Sequence, residues 1–221
     1  MDATVEHSWE PGPGDPVLGE RGLHVWRARL ECCEEELEEL LSAEEQRRAE
    51  RIARPEARRL WRRSRGVLRA LLGRYLDRDA ATLQFVRDDR GKPSLLEAGR
   101  DRLAPQQPPI SFSLSHSGSG AVGVDVEARR HQADVIGLAR RTFGAAEAAR
   151  LAALQPPARM EEFLRGWVRH EAEVKCLGTG LAGPRNGTAR LWVRHLALAA
   201  EGTAAVAAEA EPHSLRCLDW C

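Results

Sequence analysis

The sequence of 221 residues lacks the features that mark zinc-binding, membrane-spanning or secreted proteins. Its five cysteines are odd in number and lack the spacing with histidine that a zinc site needs. No segment approaches the apolar length that crosses a membrane, and the first residues lack the basic and apolar regions of a signal peptide. Because 33 Lys and Arg balance 33 Asp and Glu, net charge indicates no class of partner. These absences predict a cytoplasmic protein with reduced thiols and no membrane contact.

Arginine is concentrated in one part of the chain. Eleven arginines lie from Arg47 to Arg74, against only Glu50 and Glu56. An arginine cluster on one helix is typical of proteins that bind nucleic acid through a positively charged surface. The ordinary alternative is a solvated helix surface, and this segment taken alone favours the solvated surface over nucleic-acid binding.

Turn-forming residues and periodicity divide the chain. Prolines and glycines in residues 1–20 predict a flexible tail, and a polar, proline-rich stretch before Pro109 predicts a boundary between subdomains 21–108 and 109–221. Apolar periodicity predicts helices and antiparallel strands in both halves. The predicted helices cover 33–41, 43–53, 55–76, 133–142, 145–154 and 160–177, and predicted strands include 23–30, 83–87, 111–115, 121–127, 188–197 and 203–209.

The stretch Gly123-Val-Asp-Val-Glu127 has the pattern of a strand, since apolar residues alternate with Asp125 and Glu127. Alternation places both carboxylates on one face, about 7 Å apart. We expect this face to be solvated and outside the core. Two solvent-facing carboxylates without a function are the ordinary alternative on an antiparallel sheet.

A helical pattern follows in the stretch Trp167-Val-Arg-His-Glu-Ala-Glu-Val-Lys-Cys-Leu-Gly-Thr-Gly-Leu181. Glu171 and Lys175 lie one turn apart on the same side of this helix, and Gly178 ends it. A surface ion pair would explain these two residues equally well. However, three carboxylates with a lysine beside them also suit a magnesium-held diphosphate.

Two further motifs accompany these, Arg90-Gly-Lys-Pro93 and Phe112-Ser-Leu-Ser-His-Ser-Gly118. In this order, the motifs resemble those of the 4′-phosphopantetheinyl transferase superfamily, Sfp type. The resemblance covers roughly residues 22 to 181. It implies an α+β fold of two similar α/β subdomains, with antiparallel strands, packed side by side around an active site at their interface.

The resemblance also implies a reaction and its residues. Family members transfer 4′-phosphopantetheine from coenzyme A to a serine of an apo acyl or peptidyl carrier protein, with magnesium, and release 3′,5′-ADP. The implied magnesium ligands are Asp125, Glu127 and Glu171. The implied catalytic residues are Glu171, as the base, and Lys175, at the leaving group. The implied coenzyme-binding residues are Arg48, Arg87, Gly91, Lys92, Ser115, His116 and Lys175. We expect a monomer of secondary metabolism that binds no nucleic acid.

The chain departs from the family pattern at three places. His170 stands where the motif usually has lysine, and Glu173 replaces a commonly aromatic or aliphatic residue. Only eight residues separate His116 from Asp125, where the family usually has a further strand and turn. His170 and the short connection suggest an alternative, a catalytically impaired homologue that binds coenzyme A or a carrier protein without turnover.

Overall fold

The computed structural model describes residues 8–87, 93–96, 122–128, 134–178, 191–198 and 202–220. It mixes helices and strands, as predicted for an α+β protein. The strands are β1 (Trp9–Pro11), β2 (Gly22–Ala28), β3 (Phe85–Arg87), β4 (Pro93–Leu95), β5 (Val122–Ala128), β6 (Trp192–Ala197), β7 (Gly202–Ala208) and β8 (Ser214–Trp220). The α-helices are α1 (Ala43–Glu50), α2 (Pro55–Leu76), α3 (Val135–Phe143), α4 (Ala145–Ala152) and α5 (Pro156–Leu177). The predicted strand 111–115 lies outside the described residues.

The chain forms two compact units. The first contains Ser8–Ile110 together with Pro212–Cys221, and the second contains Ser111–Glu211. The C-terminal residues were predicted to belong to the second subdomain, 109–221. They join the first unit because β8 pairs in parallel with β2 along its whole length. Within the predicted flexible tail, β1 pairs with the other edge of β8, which places β8 at the centre of a three-stranded sheet.

Buried arginines hold the first unit together. Ser42 and Glu45 form a capping box at the start of α1, and Glu45 then accepts hydrogen bonds from Arg65 at 3.2 Å and Arg69 at 2.6 Å. Arg69 is only 1% exposed, and it also donates to the carbonyl oxygens of Ala80 and Leu83. These arginines of α2 therefore stabilise the fold, and their burial leaves them no surface for a nucleic acid.

In the second unit, α5 packs on an antiparallel sheet of order β5-β7-β6. The core between them is built from small side chains, namely Ala172 and Cys176 of α5 with Ala205 and Ala207 of β7. The other side of α5 packs through Phe163 and Leu164 against α3 and α4. None of the described helices is long and apolar enough to cross a membrane.

We predict that Glu45→Gln destabilises the protein by about 3–5 kcal/mol, because it leaves two buried guanidinium groups without their counter-charge. Denaturant unfolding at neutral pH measures this loss. Glu147→Gln, which breaks an exposed ion pair with Arg150, is the matched control and should cost less than about 1 kcal/mol. Equal losses in the two variants would contradict a structural role for the buried cluster.

The same cluster predicts acid sensitivity. Burial raises the pKa of Glu45, but the hydrogen bond from the Ser42 backbone and the charges of Arg69 and Arg65 outweigh it, so the pKa lies below its ordinary value of 4.5. The stabilisation is therefore present above the unfolded-state pKa and is lost as pH falls through the lower folded-state pKa. Glu45→Gln should remove this part of the pH dependence of unfolding below pH 4.5. An unchanged pH profile in the variant would contradict it.

Candidate active site

Strand β5 and helix α5 approach each other most closely at Gly123. A Cβ atom at this position would lie 2.1 Å from the carbonyl oxygen of Ala172 and 2.5 Å from the amide nitrogen of Cys176. Only glycine leaves room for two backbones at that separation. Glu171 and Lys175 immediately precede these two contact residues in α5. The contact therefore positions both side chains through the backbone.

Asp125 lies two residues after Gly123 and so shares its face of the strand. Lys175 Nζ donates to Oδ1 of Asp125 at 2.7 Å and to the carbonyl oxygen of Val124 at 3.3 Å. Asp125 is only 9% exposed, whereas Val126 on the opposite face is 62% exposed. The prediction of a solvated Asp125 was wrong, because β5 packs its carboxylate face against α5.

Glu171 brings a second carboxylate to this contact. Oε1 of Glu171 and Oδ2 of Asp125 are both buried, and neither accepts a hydrogen bond from a described residue. Burial raises the pKa of Glu171, the negative charge of Asp125 raises it further, Lys175 opposes the rise, and Glu127 adds to it. Asp125 and Glu171 therefore each have an acceptor oxygen without a described donor, and their combined negative charge exceeds the positive charge of Lys175.

The third predicted metal ligand, Glu127, is half-buried and lies one strand repeat beyond Asp125. In the described part of the chain, no group of three or more His, Cys, Asp or Glu side chains could hold a metal ion. Magnesium is commonly bound by one or two carboxylates together with water and substrate phosphates. The unsatisfied oxygens of Asp125 and Glu171 fit that smaller ligand set. The three-carboxylate set stays a prediction.

Two residues that depart from the family pattern have partners of their own. His170 packs edge-on against Phe143, with ring centroids 6.0 Å apart. Glu173 accepts a hydrogen bond from Arg169 at 3.1 Å, one turn earlier on α5. Residue 173 is two positions from both 171 and 175, so helical geometry places it on the other side of α5 from the site. Glu173 was predicted on the exposed side of the helix, and its side chain is 32% exposed.

The predicted coenzyme-binding residues are only partly described. Arg48 is exposed on α1, with its guanidinium 5.9 Å from the ring centroid of Trp61. Arg87 is the last residue of β3, and its side chain is not described. Four others, Gly91, Lys92, Ser115 and His116, lie outside the described residues. Their roles stay predictions.

Sequence reasoning missed two roles at this site. Gly123 was part of the recognised motif, but its function as the strand–helix contact was not predicted. The role predicted for Lys175 at the leaving group stays a prediction, and its hydrogen bonds to Asp125 and to the backbone of β5 were not predicted. The spacing in the sequence could have indicated the contact, because a glycine two residues before a carboxylate lies on the same face of the strand.

Fold and site together define an α+β protein with a largely buried carboxylate–lysine site. Residues 121–212 match a model described as 4′-phosphopantetheinyl transferase superfamily, and residues 26–126 match one described as 4′-phosphopantetheinyl transferase, N-terminal.

Three curated relatives illustrate the similarity. The 4′-phosphopantetheinyl transferase HetI of Nostoc is 35% identical over 190 residues, which is 80% of this chain and 78% of that protein. A putative 4′-phosphopantetheinyl transferase of Synechocystis is 34% identical over 66% of this chain and 61% of its own length. The transferase AcpT of Escherichia coli K12 is 38% identical over 37% of this chain and 46% of its length.

The chain belongs to the 4′-phosphopantetheinyl transferase superfamily. The match to HetI alone carries this assignment, because it covers most of both proteins. The Sfp subtype stays a prediction from the motifs.

We predict that Gly123→Ala destabilises the protein by about 1–3 kcal/mol, since the added methyl group must push α5 away from β5. Gly166→Ala is the matched control on α5. Its Cβ would meet the Phe143 ring at an ordinary 3.5 Å, and replacing a helical glycine with alanine should stabilise by up to about 1 kcal/mol. Thermal and denaturant unfolding compare the two variants. Gly123→Ala as stable as the parent would contradict the close contact.

Proposed function

We propose that this protein transfers the 4′-phosphopantetheine group of coenzyme A to a serine of an apo acyl or peptidyl carrier protein and releases 3′,5′-ADP. The single observation that supports this most strongly is the pair of unsatisfied carboxylate oxygens on Asp125 and Glu171, next to Lys175. A family member with such a site has the charge distribution that a bound diphosphate and its cation require. We further propose that it acts in the cytoplasm as a monomer.

Asp125 and Glu171 would hold a magnesium ion, with Glu127 as a third ligand. When bound, that ion supplies charge neutralisation to the coenzyme's diphosphate. The position and the burial of the carboxylates come from the chain itself. The helix–strand contact at Gly123 fixes the two carboxylates, and their burial excludes water from the oxygens that meet the ligand.

In the proposed reaction, the serine Oγ of the carrier forms a bond to the phosphorus that bears pantetheine. The bond from that phosphorus to the bridging oxygen breaks, and the electron pair leaves with 3′,5′-ADP. Glu171 accepts the serine proton directly or through a water.

Lys175 would stabilise the charge that develops on the leaving group. The other proposed contacts to the coenzyme are Arg48, Arg87, Gly91, Lys92, Ser115 and His116. Arginine and lysine suit the coenzyme's phosphate groups, since they offer charged hydrogen-bond donors.

The alternative is a homologue that binds coenzyme A or a carrier without turnover. One observation favours it, namely that no three-ligand metal group occurs among the described residues. Incubation with coenzyme A, magnesium and an apo carrier protein, followed by intact mass measurement of the carrier, separates the two. The proposal expects a gain of one phosphopantetheine. An unmodified carrier, with coenzyme binding retained, would establish the alternative.

We predict that Asp125→Asn reduces this transfer more than tenfold, equivalent to at least about 1.4 kcal/mol of transition-state stabilisation. The amide keeps the size of the buried side chain but removes the charge that Lys175 and a cation meet. Glu173→Gln, which removes a carboxylate on the other side of α5, is the control and should transfer normally. Retention of more than about a tenth of the parent activity by Asp125→Asn at saturating magnesium would contradict the metal assignment.

A further inference from the structure

The ammonium group of Lys175 is hydrogen-bonded to β5, although the side chain is partly exposed to solvent. Two of the three hydrogen-bond donors of its ammonium group go to Asp125 Oδ1 at 2.7 Å and to the Val124 carbonyl oxygen at 3.3 Å. The side chain is 36% exposed, whereas that of Asp125 is 11% exposed. The Lys175 side chain is therefore partly open to a solute, although its ammonium group bonds to a nearly buried carboxylate.

The charges around this ammonium are unequal. Asp125, Glu127 and Glu171 are three carboxylates, and the charges of the first two both act on Glu171. Lys175 is the cation that opposes them there. A divalent cation approaching Asp125 must share its carboxylate with this ammonium and is repelled by its charge.

We propose that Lys175 is the internal counter-cation of Asp125 in the ligand-free protein, that it competes with a divalent cation for this carboxylate, and that coenzyme phosphate relieves the competition. The remaining hydrogen-bond donor of the Lys175 ammonium and the partial exposure of the side chain allow a phosphate to bind Lys175. The flexible four-carbon stem allows the ammonium to follow that phosphate away from Asp125.

This arrangement couples two ligands. Withdrawal of Lys175 towards phosphate leaves Asp125 to the divalent cation, so coenzyme binding strengthens cation binding. By linkage, the cation must strengthen coenzyme binding by the same factor. The coupling rests on the proposed function for the identity of the phosphate ligand, whereas the competition at Asp125 does not.

The test is the affinity of the full-length protein for Mn²⁺ without coenzyme, measured by calorimetry and by electron paramagnetic resonance of the free ion. Lys175→Met should bind Mn²⁺ at least about tenfold more tightly than the parent, since it removes a like charge a few ångströms from the ligand. Lys175→Gln serves if the methionine variant folds poorly, because its amide is a neutral hydrogen-bond donor in place of the charged ammonium. Affinity equal to or weaker than the parent's in a folded variant would overturn the proposal.

Arg169→Met is the matched control. It removes a cation from α5 two residues before Glu171, where Arg169 pairs with Glu173, and it should leave Mn²⁺ affinity within about twofold because that pair is partly exposed and screened by salt. Equal tightening in both variants would show a general charge effect and overturn the specific role of Lys175.

A second arm measures Mn²⁺ affinity with coenzyme A present, corrected for the ion that coenzyme binds alone. Coenzyme should strengthen Mn²⁺ binding to the parent more than to Lys175→Met. The same enhancement in both proteins would overturn the coupling. An unmodified carrier protein together with tightened Mn²⁺ binding would refute the proposed function and leave the competition intact, so the two failures are distinguishable.

Discussion

The backbone of α5 rests on the backbone of β5 at Gly123, and the positions of Glu171 and Lys175 depend on this contact. The two contact atoms belong to Ala172 and Cys176, the residues that follow Glu171 and Lys175. A side chain at residue 123 would therefore move both functional groups at once. Because backbone contacts have no rotamers to adjust, the contact fixes the site more tightly than packed side chains would.

The same closeness explains the electrostatics of the site. Packing the carboxylate face of β5 against a helix removes water from Asp125 and from one oxygen of Glu171. A buried carboxylate needs a counter-charge, and Lys175 supplies one for Asp125. Glu171 is left with a raised pKa. The first unit meets the same requirement with two arginines, Arg65 and Arg69, that both bond to Glu45.

The sequence predicted the elements that carry the site but not how they face each other. Alternation located β5, and helical spacing located Glu171 and Lys175 on one side of α5. Alternation defines two faces without telling which one is buried, so Asp125 was expected in solvent. The place of β8 was missed because its pairing with β2 joins the two ends of the chain. The arginines of α2 were ambiguous, since composition alone does not distinguish a buried counter-ion from a phosphate ligand.

Asp125 and Lys175 act as one ion pair across the β5–α5 contact. A double-mutant cycle on the free energy of unfolding, with Asp125→Asn, Lys175→Met and the double variant in the presence of chelator, tests it most directly. The account predicts a coupling energy between about 0.5 and 3 kcal/mol, as found for residues in direct contact. Effects of the two substitutions that simply add would contradict it.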